Sequence, residues 1–186
     1  MKVIHSESEF TGRASVAALG MFDGEHIGHQ ALIRAAVSLA RELGAECVVC
    51  TFDRHPMSVL CPDRAPKPLL SLQENLEKFA RLGADAALVK PVTPEFGAML
   101  PGDYLRALVR DLRAKAVVAG ENYTFGAGGR GDAAMIRAMA PELGCRALIV
   151  PPVMDGEVMC SSTRVRQLLA AGETARAQKL LRIAES

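Results

Sequence analysis

Short apolar runs alternate with longer amphipathic stretches along most of this 186-residue sequence. The short runs predict strands at 15–20, 46–52, 85–90, 114–120 and 146–152. The amphipathic stretches predict helices at 29–44, 71–83, 101–113, 132–144, 161–172 and 173–181. Continuously apolar strands that are separated by helices are typical of a parallel sheet covered on both faces. The sequence therefore predicts an α/β fold with a doubly wound parallel sheet.

The segments that follow the predicted strands are where this fold is expected to bind ligands. In doubly wound sheets, ligands bind beyond the carboxyl ends of the strands, at the point where the strand order reverses. These segments are rich in His, Asp, Gly, Pro and Arg. They read MFDGEHIGH (21–29), DRHPMSVLCPDRAPKP (53–68), KPVTPEFGAML (90–100), ENYTFGAGGRG (121–131) and PPVMDGEVMCSS (151–162).

Charge and hydropathy restrict the partners of the chain. The formal net charge of +1 gives no basic footprint for nucleic acid, and no apolar run approaches the roughly 20 residues of a membrane span. The N-terminus MKVIHSESEF lacks the pattern of a signal peptide. We therefore expect a cytoplasmic protein that binds neither nucleic acid nor membranes.

The five cysteines do not have the spacing of a disulfide framework. Cys47 and Cys50 form a C-x-x-C pair, which raises the alternative of a redox protein. The pair lies inside the predicted strand ECVVCTF, whereas a redox pair normally lies at the N-terminus of a helix. We therefore expect both thiols to be small buried side chains.

Two histidines, His26 and His29, lie where the first predicted strand gives way to the first helix. Unpaired N–H groups and the helix dipole favour an anion at such a junction, and two imidazoles add further donors. Gly28 removes a side chain that would crowd a phosphate. One alternative is that the histidines only cap the helix. A second alternative, a zinc site, is weaker because it lacks an obvious third ligand.

A second helix start, SSTRVR at 161–166, has similar chemistry. The hydroxyls of Ser161, Ser162 and Thr163 can bind phosphate oxygens, and Arg164 and Arg166 can add charge-assisted hydrogen bonds. One hydroxyl would be enough for an ordinary helix cap. The sequence therefore predicts a second anion contact that converges with the histidines on one polyphosphate.

Four segments resemble the motifs of bacterial FAD synthetases, the FMN adenylyltransferase modules of bifunctional riboflavin kinase/FAD synthetases. They are GMFDGEHIGHQALI (20–33), TFDRHP (51–56), GENYTFGAGGRGD (120–132) and SSTRVRQLL (161–169), and they occur in the family's order. The resemblance implies a Rossmann-like nucleotidyltransferase fold of the HxGH type. It also implies adenylyl transfer from ATP to FMN, which gives FAD and pyrophosphate with Mg²⁺ as the cofactor.

The same resemblance implies roles for particular residues. It implies that His26, His29 and Arg166 are catalytic and act on the reacting phosphates. The ATP-binding residues that it implies are Phe22, Asp23, Gly24, Gly28, Ser161, Ser162, Thr163 and Arg164. The flavin-binding residues are Asp53, His55, Asn122 and Phe125. No protein ligand is assigned to the metal, and Asp53 and His55 have the alternative role of fixing a turn before proline.

Three features depart from the family pattern. Glu25 stands where the family usually has an apolar residue, so a carboxylate is expected either near the phosphates or in solvent. Arg54 replaces the first proline of the second motif and is expected to loosen that turn. The sequence ends at LLRIAES, where bifunctional members continue into a riboflavin kinase module. We therefore expect a single nucleotidyltransferase domain over 1–186 without riboflavin kinase activity.

Two alternatives to FMN adenylyl transfer stay open at this point. The HxGH motif is shared with cytidylyltransferases and pantetheine-phosphate adenylyltransferases, which act on other phosphoesters. A paralogue that binds a flavin or nucleotide without turnover could carry the same motif residues. The sequence does not predict an oligomeric state.

Overall fold

A computed structural model describes residues 1–182, apart from the side chain of Leu60, and contains a six-stranded sheet. The strands are β1 (Lys2–Ile4), β2 (Ser15–Leu19), β3 (Glu46–Phe52), β4 (Ala86–Lys90), β5 (Ala114–Gly120) and β6 (Arg146–Val150). They lie in the order β1-β4-β3-β2-β5-β6, and all neighbouring strands run parallel. The predicted doubly wound α/β sheet is confirmed.

Eight helices accompany the sheet within the described residues. They are α1 (Ile27–Glu42), α2 (Met57–Leu60), α3 (Leu72–Arg81), α4 (Pro94–Gly97), α5 (Pro101–Asp111), α6 (Ala133–Glu142), α7 (Ser162–Ala170) and α8 (Thr174–Leu181). The ends of every predicted helix and strand lie within two residues of the observed ends. Strand β1, helices α2 and α4, and the hairpin of β7 (Met154–Asp155) and β8 (Val158–Met159) were not predicted, because such short elements give little periodic signal.

The helices cover the two faces of the sheet and form two apolar layers. Ile33 of α1 and Phe79 of α3 lie in the layer on one face, and Leu105 of α5 and Ile136 of α6 lie in the layer on the other. All six strands run parallel, so their carboxyl ends lie at the same edge of the sheet. The loops that carry the predicted site residues therefore meet at one edge of the sheet.

The two cysteines of the C-x-x-C pair are buried on opposite faces of β3. Cys47 belongs to the α1/α3 layer and Cys50 to the α5/α6 layer, because side chains three positions apart on a strand point in opposite directions. Burial raises the pKa of Cys47 to about 12 and raises the pKa of Cys50 as well. The prediction of two buried thiols is confirmed, and the two thiols cannot bond to each other.

The order of the strands reverses between β2 and β5. From β2 the chain continues outward to β3 and β4, and it then crosses back to β5 and β6 on the other side of β2. The loops after β2 and β5 therefore border the crevice in which doubly wound folds bind ligands. Within residues 1–182, no helix combines the length and the apolar composition that crossing a membrane requires.

Candidate active site

His26 and His29 lie together at the beginning of α1, where β2 ends. His26 is the N-cap residue of the helix, and His29 lies in its first turn. The two imidazole rings stack with their centroids 3.7 Å apart and an angle of 23° between the planes. Neither Nδ1 atom has a hydrogen-bond partner among the described residues. The histidine side chains therefore do not cap the helix, and they keep polar atoms that a ligand can bind.

Burial determines the charge of the two imidazoles. It lowers the pKa of His26 to about 4, and it lowers the pKa of His29 well below the ordinary range, with a further contribution from the adjacent His26 ring. Both rings are therefore neutral at physiological pH in the free chain. Each neutral ring has one N–H donor and one nitrogen acceptor. The pair can therefore bind an anion through its N–H donors, without a positive charge.

The Phe22 ring packs against the His29 ring. Phe22 has a backbone φ of 49°, its ring is fully buried, and the ring meets His29 edge-on at 5.3 Å and Phe79 at 5.4 Å between centroids. Such edge-to-face packing fixes the orientation of both rings. The Phe22 side chain thus holds the imidazole in place, and its contact with ATP stays a prediction.

The two glycines of the first motif have different neighbours. Gly24 has a φ of 82°, and a Cβ atom at this position would lie 2.6 Å from Leu69 Cδ1. The space beside the Cα atom of Gly24 is therefore filled by Leu69, and the contact of Gly24 with ATP stays a prediction. A Cβ atom on Gly28 would lie 3.1 Å from His26 Nδ1 and 3.6 Å from the carbonyl oxygen of Cys160. A side chain at position 28 would thus crowd the His26 ring, whereas its distance to the segment before α7 would be an ordinary contact.

The start of α7 is hydrogen-bonded to the loop after β2. Ser161 is the N-cap residue of α7, and its hydroxyl accepts a hydrogen bond of 3.1 Å from the Arg164 N–H. The Ser162 hydroxyl donates to the carbonyl of Asp23 at 2.7 Å, and Thr163 is exposed. The predicted convergence of the two helix starts is present, but both serine hydroxyls already have protein partners.

A cavity of about 400 Å³, which we call the histidine cavity, lies between these two helix starts. His26, Gly28 and His29 line it from α1, and Cys160 and Ser161 line it from the side of α7. Its remaining walls come mainly from the ends of β2, β3, β5 and β6 and the segments that follow them, so it occupies the crevice where the strand order reverses. It has the position and the polar groups of a polyphosphate site.

The two arginines of α7 are paired with carboxylates rather than turned towards this cavity. The Arg166 guanidinium donates to the Asp23 carboxylate and to the Lys67 carbonyl. The Arg164 Nε atom lies 3.7 Å from Asp155 Oδ2, which also pairs with Arg176 at 2.8 Å. A phosphate could therefore bind the Nε/Nη2 edge of Arg166 only in competition with Asp23, which sequence reasoning did not anticipate.

The four predicted flavin residues occupy different places. The Asp53 carboxylate accepts from the Val92 N–H at 3.0 Å and from Arg54, and His55 Nδ1 accepts from the Met57 N–H at 3.1 Å. Asp53 and His55 thus fix the turn after β3, which was the alternative reading. This network also includes Arg54, so the turn is held together and the expected loosening is not seen. His55 also lines the histidine cavity, as does Asn122, whereas Phe125 lies elsewhere.

Phe125 belongs to a second cavity of about 360 Å³, which we call the aromatic cavity. The rings that line it belong to Phe52, Phe96, Tyr104, Tyr123 and Phe125. Tyr123 and Phe125 are nearly parallel at 15°, with centroids 5.7 Å apart. The two cavities share Phe52, Pro56, Tyr123 and Thr124, so they adjoin. Sequence reasoning missed Phe96 and Tyr104, because a single aromatic residue in a loop or helix resembles an ordinary core residue.

Comparison with known proteins was informative once this geometry was established. The sequence model of the FAD synthetase family matches residues 9–164, a range that includes both helix starts. The chain belongs to the FAD synthetase family. The matched range contains the histidine pair, the aromatic cavity and the N-cap of α7. The nucleotidyltransferase type of α/β fold, expected from the motifs, is thereby confirmed.

Relatives of this FAD synthetase-family chain differ in length. A Geobacillus thermodenitrificans protein, named as a candidate bifunctional riboflavin kinase/FMN adenylyltransferase, is 36% identical over 181 residues, which are 97% of both chains. The bifunctional riboflavin kinase/FMN adenylyltransferase of Escherichia coli K12 is 32% identical over 96% of this chain and 57% of its own length. The chain thus spans nearly all of one relative and little more than half of the other.

One solved structure has closely similar architecture. It is titled a macrolide-efflux protein from Streptococcus pneumoniae, and it superposes with a TM-score of 0.82 at 29% identity. The superposition covers 96% of this chain and 59% of that chain. Among the described residues of the FAD synthetase-family chain, no group of three His, Cys, Asp or Glu side chains is arranged to hold a metal ion.

Glu25 lies next to the histidine pair in sequence but does not share its cavity. The residue has a φ of 46° and no solvent exposure, and neither carboxylate oxygen has a hydrogen-bond partner among the described residues. Burial raises the pKa of Glu25 to about 8, although Lys78 and Arg34 oppose this shift. The expectation that Glu25 faces the phosphates or solvent is therefore wrong, and this carboxyl group is mostly protonated at neutral pH.

The first testable prediction concerns the charge of His26. We expect its ring to stay neutral in the free chain from neutral pH down to about pH 4. Addition of MgATP should raise this pKa, because negative phosphates favour the protonated ring. A titration of the imidazole Cε1–H signals by NMR, assigned with a His26→Gln variant, measures both values. A midpoint near 6.5 in the free chain would contradict the prediction.

Proposed function

We propose that this chain transfers the adenylyl group of ATP to FMN and releases pyrophosphate, which makes FAD. The observation that supports this most is that the histidine cavity adjoins the aromatic cavity and shares four lining residues with it. Phosphate groups suit the first cavity, and a planar ring suits the second, since aromatic side chains stack on flat apolar ligands. FMN has both a planar ring and a phosphate, so it can span the two cavities.

The reaction needs positioning more than covalent help from the protein. An oxygen of the FMN phosphate attacks the α-phosphorus of ATP, a new P–O bond forms, and the bond to the β-phosphate oxygen breaks. FMN phosphate is already anionic, so the proposal includes no general base. His26 and His29 donate hydrogen bonds to the phosphate oxygens as charge develops there, and the first N–H groups of α1 add to this.

The other ATP-binding residues have unequal support in this proposal. Gly28 and Ser161 line the histidine cavity together with the histidines. Gly24 is packed against Leu69, and Asp23 and Ser162 hold the two helix starts together. The direct contacts of Phe22, Thr163, Arg164 and Arg166 with ATP stay predictions.

We propose that Mg²⁺ enters with ATP and is held mainly by phosphate oxygens and water. Mg²⁺ dehydrates reluctantly and is commonly bound through substrate phosphates with few protein ligands. Bound there, it would neutralise part of the charge on the leaving pyrophosphate. The two histidines do not compete with it, since Mg²⁺ prefers oxygen ligands.

The flavin site yields a second testable prediction. Changing Tyr123→Ala should raise the KM for FMN by about 5- to 100-fold, because one ring stacked on a planar base contributes about 1–3 kcal/mol. The KM for ATP should change little, whereas the melting temperature should fall, because the Tyr123 ring packs against the apolar layer of α5 and α6. Tyr123→Phe is the matched control, since it keeps the ring and removes only the hydroxyl. Equal changes in both KM values would place the flavin ring elsewhere.

The proposed function is tested by incubating the purified chain with FMN and MgATP and measuring FAD and pyrophosphate. Both products should form in equal amounts, and riboflavin should not replace FMN. Use of CTP with another phosphoester, and no use of FMN, would favour a related nucleotidyltransferase. Binding of FMN and ATP without product would favour a non-catalytic paralogue. The cytoplasmic location, the single-domain organisation and the lack of nucleic-acid partners stay predictions.

A further inference from the structure

The Nε/Nη2 edge of the Arg166 guanidinium binds protein groups outside the histidine cavity. Its Nη2 atom donates to Asp23 Oδ2 and to the Lys67 carbonyl at 2.8 Å, and its Nε atom donates to the same carbonyl at 3.1 Å. The Nε/Nη2 edge of a guanidinium is one of the two that bind carboxylate or phosphate in a bidentate manner. This edge is therefore occupied, and Arg166 is not among the residues that line the cavity.

Asp23 is held in place by contacts that do not involve Arg166. Its Oδ1 atom accepts from the Leu69 N–H at 2.9 Å, and its carbonyl accepts from the Ser162 hydroxyl at 2.7 Å. Leu69 in turn packs against Gly24. An asparagine at position 23 can keep these contacts, because its side-chain oxygen also accepts a hydrogen bond. The charge of Asp23 can thus be removed while its position is kept.

A polyphosphate in the histidine cavity lies near the same helix start that carries Arg166. The cavity is bounded by Ser161, the N-cap residue of α7, and Arg166 lies in the second turn of that helix. A triphosphate is a stronger partner for a guanidinium than one carboxylate, because it offers more charge and more acceptor oxygens. Bidentate contact through the Nε/Nη2 edge requires that edge to leave Asp23 and Lys67.

We propose that Asp23 is a positioning residue that competes with ATP for the Arg166 guanidinium and so sets the affinity of the chain for MgATP. The inference rests on the proposed function only in taking the histidine cavity as the site of the ATP polyphosphate. Asp23 holds the guanidinium beside the Pro-rich segment around Lys67 in the free chain. ATP binding transfers the guanidinium to the phosphates and leaves the Lys67 carbonyl without this donor.

The test is a double-mutant cycle on the binding of Mg²⁺ and α,β-methylene ATP by calorimetry, without FMN. Asp23→Asn should lower the Kd by about tenfold, since the amide NH2 group that replaces Oδ2 cannot accept from Arg166 and the charge-assisted hydrogen bond is lost. In the Arg166→Gln background the same change should alter the Kd by less than about threefold. Asp103→Asn is the matched control. It also removes a carboxylate from an arginine pair, but its partner Arg106, at 2.9 Å, is exposed and both residues lie on α5.

Two results would overturn the inference. Weaker binding by Asp23→Asn would show that the carboxylate only supports the loop, and equal gains in both backgrounds would show general charge repulsion. If Asp23→Asn does not fold, the Arg166 Nε–H signal of the wild-type chain, assigned with Arg166→Lys, decides by NMR. It should shift when MgATP is added, and an unchanged signal with ATP bound would contradict the inference.

Failure of this inference is distinguishable from failure of the proposed function. If the wild-type chain makes FAD but the Asp23→Asn variant binds ATP less tightly, the proposed function stands and the inference is contradicted. If the double-mutant cycle gives the expected Kd values but the wild-type chain makes no FAD, the inference stands and the proposed function is contradicted. A wild-type chain that binds no MgATP contradicts both.

Discussion

Replacing His29 by alanine is expected to lower the turnover of FAD formation by about 10²- to 10³-fold, the usual cost of removing one hydrogen-bond donor from a developing oxyanion. The ring is stacked at 3.7 Å on His26 and supported by Phe22, so its orientation is fixed before substrate arrives. A preorganised donor acts mainly on the transition state. The loss should therefore affect kcat more than the KM for ATP.

Initial rates with saturating FMN and MgATP, together with the melting temperature, measure this effect. His5→Ala is the matched control, since His5 is exposed and follows β1, away from the cavity. The His29→Ala chain should stay folded, because the ring it loses lies at the edge of the apolar layer rather than inside it. Unchanged turnover in a folded His29→Ala chain would remove this histidine from the mechanism.

Glu25→Gln is expected to stabilise the chain at neutral and alkaline pH. The folded state keeps Glu25 protonated up to about pH 8, whereas the unfolded state ionises near 4.5. The folded state thus binds more protons between these values, and its stability falls as the pH rises through this window. The difference is about 3 kcal/mol at pH 7, and glutamine has a similar shape without the titration.

Urea unfolding of both chains between pH 4 and pH 8 tests this prediction. The two stabilities should be nearly equal at pH 4 and should diverge as the pH rises. Glu142→Gln, a change at an exposed acid on α6, should show no such divergence. A stability difference between Glu25→Gln and wild type that does not depend on pH would mean that the carboxyl group is ionised in the folded chain.

Local sequence patterns were sufficient to predict the longer elements of the fold and the place of the histidine pair. The apolar runs predicted the strands, and the capping box of Ser71 and Glu74 that begins α3 is likewise readable from the S-x-x-E spacing. Both signals are short-range, because side-chain periodicity and helix capping depend on residues a few positions apart. The topological rule for doubly wound sheets then predicted that the loops after the strands meet in one crevice.

Side-chain partners could not be predicted in this way, because they depend on distances that the whole fold sets. Phe96 and Tyr104 become walls of one cavity only when α5 packs against β5 and α4 packs against α2. Glu25 is buried by residues that surround it only in the folded chain, and nothing in its own segment of the sequence indicates this burial.

The sequence by itself thus determined the order of strands and helices, and it placed two imidazoles and a group of hydroxyls at two helix starts. The tertiary structure alone decided that Arg166 pairs with Asp23, 143 positions away, and that Leu69 fills the space beside Gly24. The physical reason is that periodicity and capping act between near neighbours in the chain. Pairing and burial act between groups that meet only after the chain has folded.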